Sequence, residues 1–309
     1  MNSIKIIANG AYFPKQKVDN KELAKKYNIT EEYIYKRTGI ENRFFANDET
    51  IEEVAIKASK QAIENYNIDK QTIDMIIVAT TSSDKIMPGI SFYIQKELDI
   101  KNSICLDVLA GCAGYINSLD IARNYIAIGK VNRALVVGVD VLSNIINESD
   151  MGTAIILSDG AGAIIIEKSD VEKKYESCIE SKGQDGDILV YNSNNKIKMD
   201  GTKVYKYAVR ETVKNISKLL QISGENIEDI KYIIPHQSNQ KIINSISARL
   251  QIEDDKIYNN IKNVGNTFCA SIPIVLGELL EKNKLLAGDK IILLGYGGGL
   301  NTGSILLEI

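Results

Sequence analysis

Two segments of the chain run through the same order of elements. "ETIEEVAIKASKQAIENYNIDKQTIDMIIVATTSSD" reads as amphipathic helix, Ile-Asp, apolar strand and polar turn. "YKYAVRETVKNISKLLQISGENIEDIKYIIPHQSNQ" repeats that order at similar spacing and puts His236 near where Thr81 falls in the first copy. A second pair follows each copy, the small-residue helix starts "GCAGYINSLDIA" and "FCASIPIVLGEL". A helix–strand unit has an apolar face on each element and must bury both against further layers. Two matching units in the same order therefore predict paired α/β halves. The division expected is 1–168, carrying Cys112, and 169–309, carrying His236 and Asn266.

Short β-branched runs alternate with longer amphipathic segments throughout, the pattern of an α/β protein. "SIKIIANGAYF", "DMIIVATTS", "SICLDVLA", "RALVVGVDV", "AIILSDGAGAIIIEK", "KYIIPHQSN" and "KIILLGYGGGLNTGSILLEI" read as strands. "TIEEVAIKASKQAIENYNI" has apolar residues at helical spacing with charges opposite. Residues 182–201, rich in Asp, Asn, Gly and Lys, read as a loop region between the halves.

A net charge of −3 offers no global positive field to nucleic acid or anionic lipid. No apolar run approaches the roughly 20 residues that span a bilayer, and "MNSIKIIANG" lacks the apolar stretch of a signal peptide. Four scattered cysteines suggest no disulfide scaffold, so a cytoplasmic setting is expected. With one histidine and no CxxC or HExxH, no metal site is expected.

Cys112 follows an apolar strand and opens a segment with apolar residues at 113, 116, 119, 122 and 126. At a helix N-terminus the N–H groups favour a thiolate, whereas apolar burial keeps the thiol protonated. A small core residue and a nucleophile both fit. His236 ends a strand on the edge where α/β sheets present ligand sites, or it is a satisfied structural histidine. Asn266 either caps the next helix or donates to a developing oxyanion. "GYGGGLNTGS" lacks the Lys-Ser/Thr of a phosphate-binding loop and leads into a strand, so its glycines make a turn or aim an N–H at a carbonyl. Cys, His and Asn in that order suit thiol proteolysis, or acyl transfer through a thioester with a second, carbanion-forming step.

"RTGIENR" (37–43), "DVLAGCAG" (107–114), "SDGAGA" (158–163), "PHQSN" (235–239), "VGNTFCASIP" (264–273) and "GYGGGLNTGS" (295–304) together resemble the β-ketoacyl-acyl-carrier-protein synthase III family, nearly end to end. The resemblance implies a thiolase-like αβαβα five-layered sandwich of two pseudo-equivalent halves, acting as a homodimer without metal or redox cofactor. It implies that Cys112 takes an acyl group from a thioester primer. His236 and Asn266 then hold the thioester oxygen of malonyl-acyl-carrier protein as carbon dioxide leaves, in fatty acid synthesis or a specialised lipid or polyketide pathway. The N–H groups of Cys112 and Gly298 would form the oxyanion hole. Simple acyl transfer to an alcohol or amine is the alternative.

The resemblance also places Tyr33, Arg37, Met87, Met151, Gly201, Tyr205, Asn239 and Tyr296 at substrate-binding positions, and Lys206 and Lys241 where the acidic carrier protein docks. Tyr33 and Met151 stand where the family frames the adenine of coenzyme A with Trp and Arg, leaving the primer's carrier open between acyl-CoA and acyl-carrier protein. Met87 matches the residue that closes the acyl tunnel across the dimer, and Tyr296 adds a hydroxyl where Phe is usual.

Overall fold

The computed structural model describes residues 3–191 and 196–309. Its two large sheets share one pairing pattern. The first runs Ile4–Tyr12, Gly160–Lys168, Arg133–Asp140, Met75–Ala79, Ile104–Val108. Its first two pairings are antiparallel and its last two parallel. The second runs Tyr175–Ser181, Asn301–Glu308, Lys290–Gly297, Ile230–Pro235, with pairings antiparallel, antiparallel and parallel. Where the first sheet has its fifth strand, the second keeps only a parallel bridge between Ile233 and Ile257.

Alternation along each strand sets the layers. Met75, Ile77 and Ala79 face the helices Gly114–Ala127 and Ser271–Glu281, which lie between the two sheets. Ile76 and Val78 face the opposite way, onto the helices Ile51–Glu64 and Ile90–Glu97. Gly201–Ser223 and Gln240–Leu250 cover the outer face of the second sheet. The result is the five-layered αβαβα sandwich. Helix Ile51–Glu64 shows how local sequence feeds this packing. Thr50 accepts the Glu53 N–H while the Glu53 carboxylate accepts the Thr50 N–H, a reciprocal cap contributing about 1 kcal/mol. Val54, Ala55, Ala58 and Ala62 then fall on one buried face.

The family motifs have structural reasons. Gly39 ends the helix Glu31–Thr38 in the left-handed region, where a Cβ would meet Gln240 Cβ at 2.3 Å. Arg43 is fully buried, donating to Asn20 Oδ1 at 3.0 Å and the Ile155 carbonyl at 2.8 Å. That burial lowers its pKa to about 10. In "SDGAGA", the Asp159 carboxylate accepts the N–H groups of Ala46, Leu142 and Ser143. Gly162 lets the strand lie against the central helix, since a Cβ there would meet Ile274 N at 2.7 Å.

Three expectations change. Within "AIILSDGAGAIIIEK" the strand begins only at Gly160, and Ala154 ends a short helix, Met151–Ala154. The 182–201 region is not all loop. It holds a 3-10 turn, Gly183–Ile188, and a small hairpin pairing Leu189–Val190 with Lys198–Met199, while 192–195 lie outside the described residues. His236 follows its strand by one residue as Thr80, not Thr81, follows Ala79. No helix among the described residues is long and apolar enough to cross a membrane.

Candidate active site

Cys112 sits between the strand Ile104–Val108 and the helix Gly114–Ala127, two residues before that helix begins. Its loop interlocks backbone to backbone with the glycine run. A Cβ on Gly111 would meet the Gly298 carbonyl at 2.3 Å, and one on Gly297 would lie 2.7 Å from both Cys112 N and Cys112 Cβ. Gly111 is also in the left-handed region, at φ 58°. Here glycine is required for approach as well as conformation. Burial, reinforced by the nearby Asp140 carboxylate, pushes the Cys112 thiol up. The backbone N–H groups of Gly298 and of Cys112 itself act on the sulfur in the opposite sense.

His236 immediately follows the strand Ile230–Pro235 and donates its backbone N–H to the Leu294 carbonyl at 2.7 Å. Its ring is buried, with Nδ1 and Ser271 Oγ sharing a 2.8 Å hydrogen bond. The rings of Tyr296 and Phe268 meet it edge-on, with centroids at 5.1 and 6.4 Å. Burial lowers its pKa to about 3, so the imidazole is neutral at physiological pH. With Nδ1 engaged, Nε2 is the nitrogen left for a ligand. Asn266 is pinned through its backbone, receiving the Ser158 N–H and donating to the Ile156 carbonyl. Gly265 makes this close approach possible, at φ 72° and with a Cβ position 2.9 Å from Ser158 Cβ. Asn266 Oδ1 accepts the Phe268 N–H at 3.2 Å, which fits the capping reading of this residue. It caps the following turn and leaves its NH₂ for a ligand.

Two cavities, of about 590 and 480 Å³, both reach Cys112. His236 and Asn266 line only the second, together with Arg37, Gly201, Tyr205, Asn239, Lys241 and Tyr296. Gly298 lines the first. Tyr33, Met87, Met151 and Lys206 are not brought to either cavity in the single chain. Tyr33 stacks near Arg37, whose guanidinium is 6.0 Å from its ring, and Met151 packs against the core. Lys206 is exposed, and Met87 stands 84% exposed. Asn239 caps the helix Gln240–Leu250 by accepting the Lys241 N–H and also donates to the Arg37 carbonyl. The Tyr296 hydroxyl is held by Ser238 Oγ at 2.8 Å and by the His236 carbonyl at 3.2 Å. That added hydroxyl therefore anchors the loop after His236.

Sequence reasoning missed Ser271, Phe268 and Asp140. Asp140 is buried and accepts from the hydroxyls of Thr80, Thr81 and Ser82 and from the Cys269 N–H. These are tertiary contacts without a local signature. Only the small-residue context of "NTFCAS" could have drawn attention to two of them.

The stacked halves, with a cysteine at one helix start facing a histidine and an asparagine from the other half, define a thiolase-like α/β protein. Residues 106–184 match the family model described as 3-oxoacyl-[acyl-carrier-protein] synthase III, and residues 220–309 match that of its C-terminal part. The chain is 39% identical over 322 residues to the β-ketoacyl-[acyl-carrier-protein] synthase III of Clostridium acetobutylicum, covering all of this chain and 99% of the relative. It superposes on the 3-oxoacyl-[acyl-carrier-protein] synthase III of Aquifex aeolicus with a TM-score of 0.96 at 35% identity, covering 99% and 100% of the two chains. The priming β-ketosynthase of the R1128 polyketide pathway matches with a TM-score of 0.94 at 29% identity, covering 99% and 96%. The chain belongs to the β-ketoacyl-[acyl-carrier-protein] synthase III family and is an acyltransferase of that type.

Proposed function

We propose that the chain condenses an acyl thioester primer with malonyl-acyl-carrier protein in fatty acid synthesis, through an acyl group carried on Cys112. The observation that carries this reading is the division of labour around one sulfur. Cys112 lies where two cavities meet, and the His236–Asn266 pair lines only one of them. In the first half-reaction the Cys112 sulfur attacks the primer carbonyl, and the primer's thiol leaves with the Cys112 proton. The N–H groups of Cys112 and Gly298, which already act on the sulfur, stabilise the transient oxyanion. In the second, the malonyl thioester oxygen is held by neutral His236 and the Asn266 NH₂ while the C–C bond to carbon dioxide breaks. The electron pair so released forms the new bond to the acyl carbon, and Cys112 departs as thiolate. Every group these steps use is a side chain or backbone N–H, so the chemistry calls for no cofactor.

A second copy of the chain completes the first cavity in this reading. Ile86, Met87 and Leu109 are 97, 84 and 78% exposed, and Leu109 lines that cavity. Asp107 accepts the Ile90 and Ser91 N–H groups, tying the turn that holds Met87 to the strand leading to Leu109. Covering these apolar side chains favours a homodimer. Lys241 on the rim of the second cavity, with exposed Lys206, suits an acidic carrier protein.

The test is product analysis with malonyl-acyl-carrier protein and primers supplied in parallel as acyl-CoA and acyl-carrier protein. The reading expects β-ketoacyl-carrier protein with stoichiometric carbon dioxide from at least one arm, and the productive arm identifies the primer's carrier. Acyl transfer to an alcohol or amine without carbon dioxide would establish the simpler acyltransferase instead.

A further inference from the structure

Cys112, Leu189, Ile197 and Phe268 are the described residues that line both cavities. Apart from the nucleophile they form the boundary between the two spaces. Leu189 lies in the small hairpin and Ile197 just before its second strand, while Phe268 opens the 3-10 turn Phe268–Ala270. Phe268 holds a backbone conformation that a bulky residue rarely adopts, at φ 44°. Strain kept in a buried residue beside a nucleophile marks a position where function outweighs local comfort. Two contacts hold it there. Its N–H donates to Asn266 Oδ1 at 3.2 Å, and its ring meets His236 edge-on.

Resting on the condensing reading above, we propose that the Phe268 ring is the partition that sets primer specificity. The malonyl thioester must lie against His236 and Asn266 in the second cavity, so the acyl group on Cys112 must lie in the first. Leu109, Ile145, Val190 and Leu300 make that chamber largely apolar, which suits a hydrocarbon chain. Phe268 bounds the passage beside the sulfur. It limits the girth of the acyl group near its thioester carbon and keeps the chain out of the malonyl chamber.

Phe268→Ala and Phe268→Leu test this, with acylation of Cys112 followed by mass spectrometry across straight and branched acyl thioesters. The Phe268 N–H survives in both, so Asn266 keeps its partner. The ratio of kcat/KM for branched or longer primers to that for acetyl is expected to rise about tenfold or more in Phe268→Ala, with less change in Phe268→Leu. The KM for malonyl-carrier protein should rise in parallel as the acyl chain enters the second chamber. Phe268→Gly relieves the positive φ and keeps the test valid if the alanine variant folds poorly. An unchanged primer profile and malonyl KM in folded variants would overturn the partition. Failure of the unaltered protein to acylate would overturn the condensing reading itself.

Discussion

Cys112 and Cys269 occupy corresponding places in the two halves, each just before a central helix and each among small residues. Their surroundings differ in access to the cavities and in the donors around each sulfur. Cys112 opens onto both cavities and has two N–H groups acting on its sulfur. Cys269 lines neither cavity, its Sγ donates to the Gly111 carbonyl at 3.2 Å, and its N–H is taken by Asp140. Burial pushes both thiols up, Cys269 well above the usual range. A helix start does not by itself make a nucleophile. In the proposed mechanism, access and a converging pair of N–H donors single out Cys112.

The contrast breaks most sharply by substitution. Cys112→Ser is expected to lower condensation by about 10³-fold or more, because a hydroxyl is a far weaker acid and nucleophile than a thiol. His236→Ala should leave Cys112 acylation intact while lowering condensation about 10²-fold or more, since it removes one of two holders of the malonyl oxygen. Single-turnover acylation and steady-state product formation, measured on the same folded variant, separate those steps. Gly297→Ala puts a methyl 2.7 Å from Cys112, so the loops must shift. About 1–3 kcal/mol of stability and much of the acylation rate should be lost, read by thermal melting and mass spectrometry. At the small end, Cys269→Ala should keep activity within roughly threefold, with its main effect a modest loss of packing.

The pH profile sharpens the role of His236. Its folded pKa of about 3 lies below the ordinary histidine value of 6.5 because the ring is buried. Between those values the unfolded chain binds a proton that the folded ring refuses, so this residue's contribution to stability falls on acidification through that window. Across it the folded imidazole stays neutral, and decarboxylation should show no histidine limb near pH 6.5. A limb there, lost in His236→Ala, would contradict the buried, neutral ring, and activity that falls above that pH would mean the ring works protonated.

The layered architecture was legible because its signals are local and repeated: the helical face of Val54 to Ala62 and short β-branched runs such as Met75 to Ala79. The glycine motifs were also legible, since Gly111, Gly265 and Gly297 stand where a Cβ would strike backbone or a neighbouring Cβ. The Asn42–Phe45 strand was not, because it carries Arg43 inward and so breaks the apolar pattern. Beyond the small-residue context of "NTFCAS", the sequence did not announce Ser271 behind His236 or Phe268 between the cavities. Both depend on segments from different parts of the fold meeting in three dimensions.

The most direct measurement is peptide mapping of the intact protein after exposure to a primer thioester and then to malonyl-acyl-carrier protein. The acyl mass should appear only on the peptide containing Cys112 and disappear on the malonyl chase as β-ketoacyl-carrier protein forms. An acyl group on the Cys269 peptide, or one on Cys112 that the chase cannot discharge, would contradict the assignment of nucleophile and condensing pair.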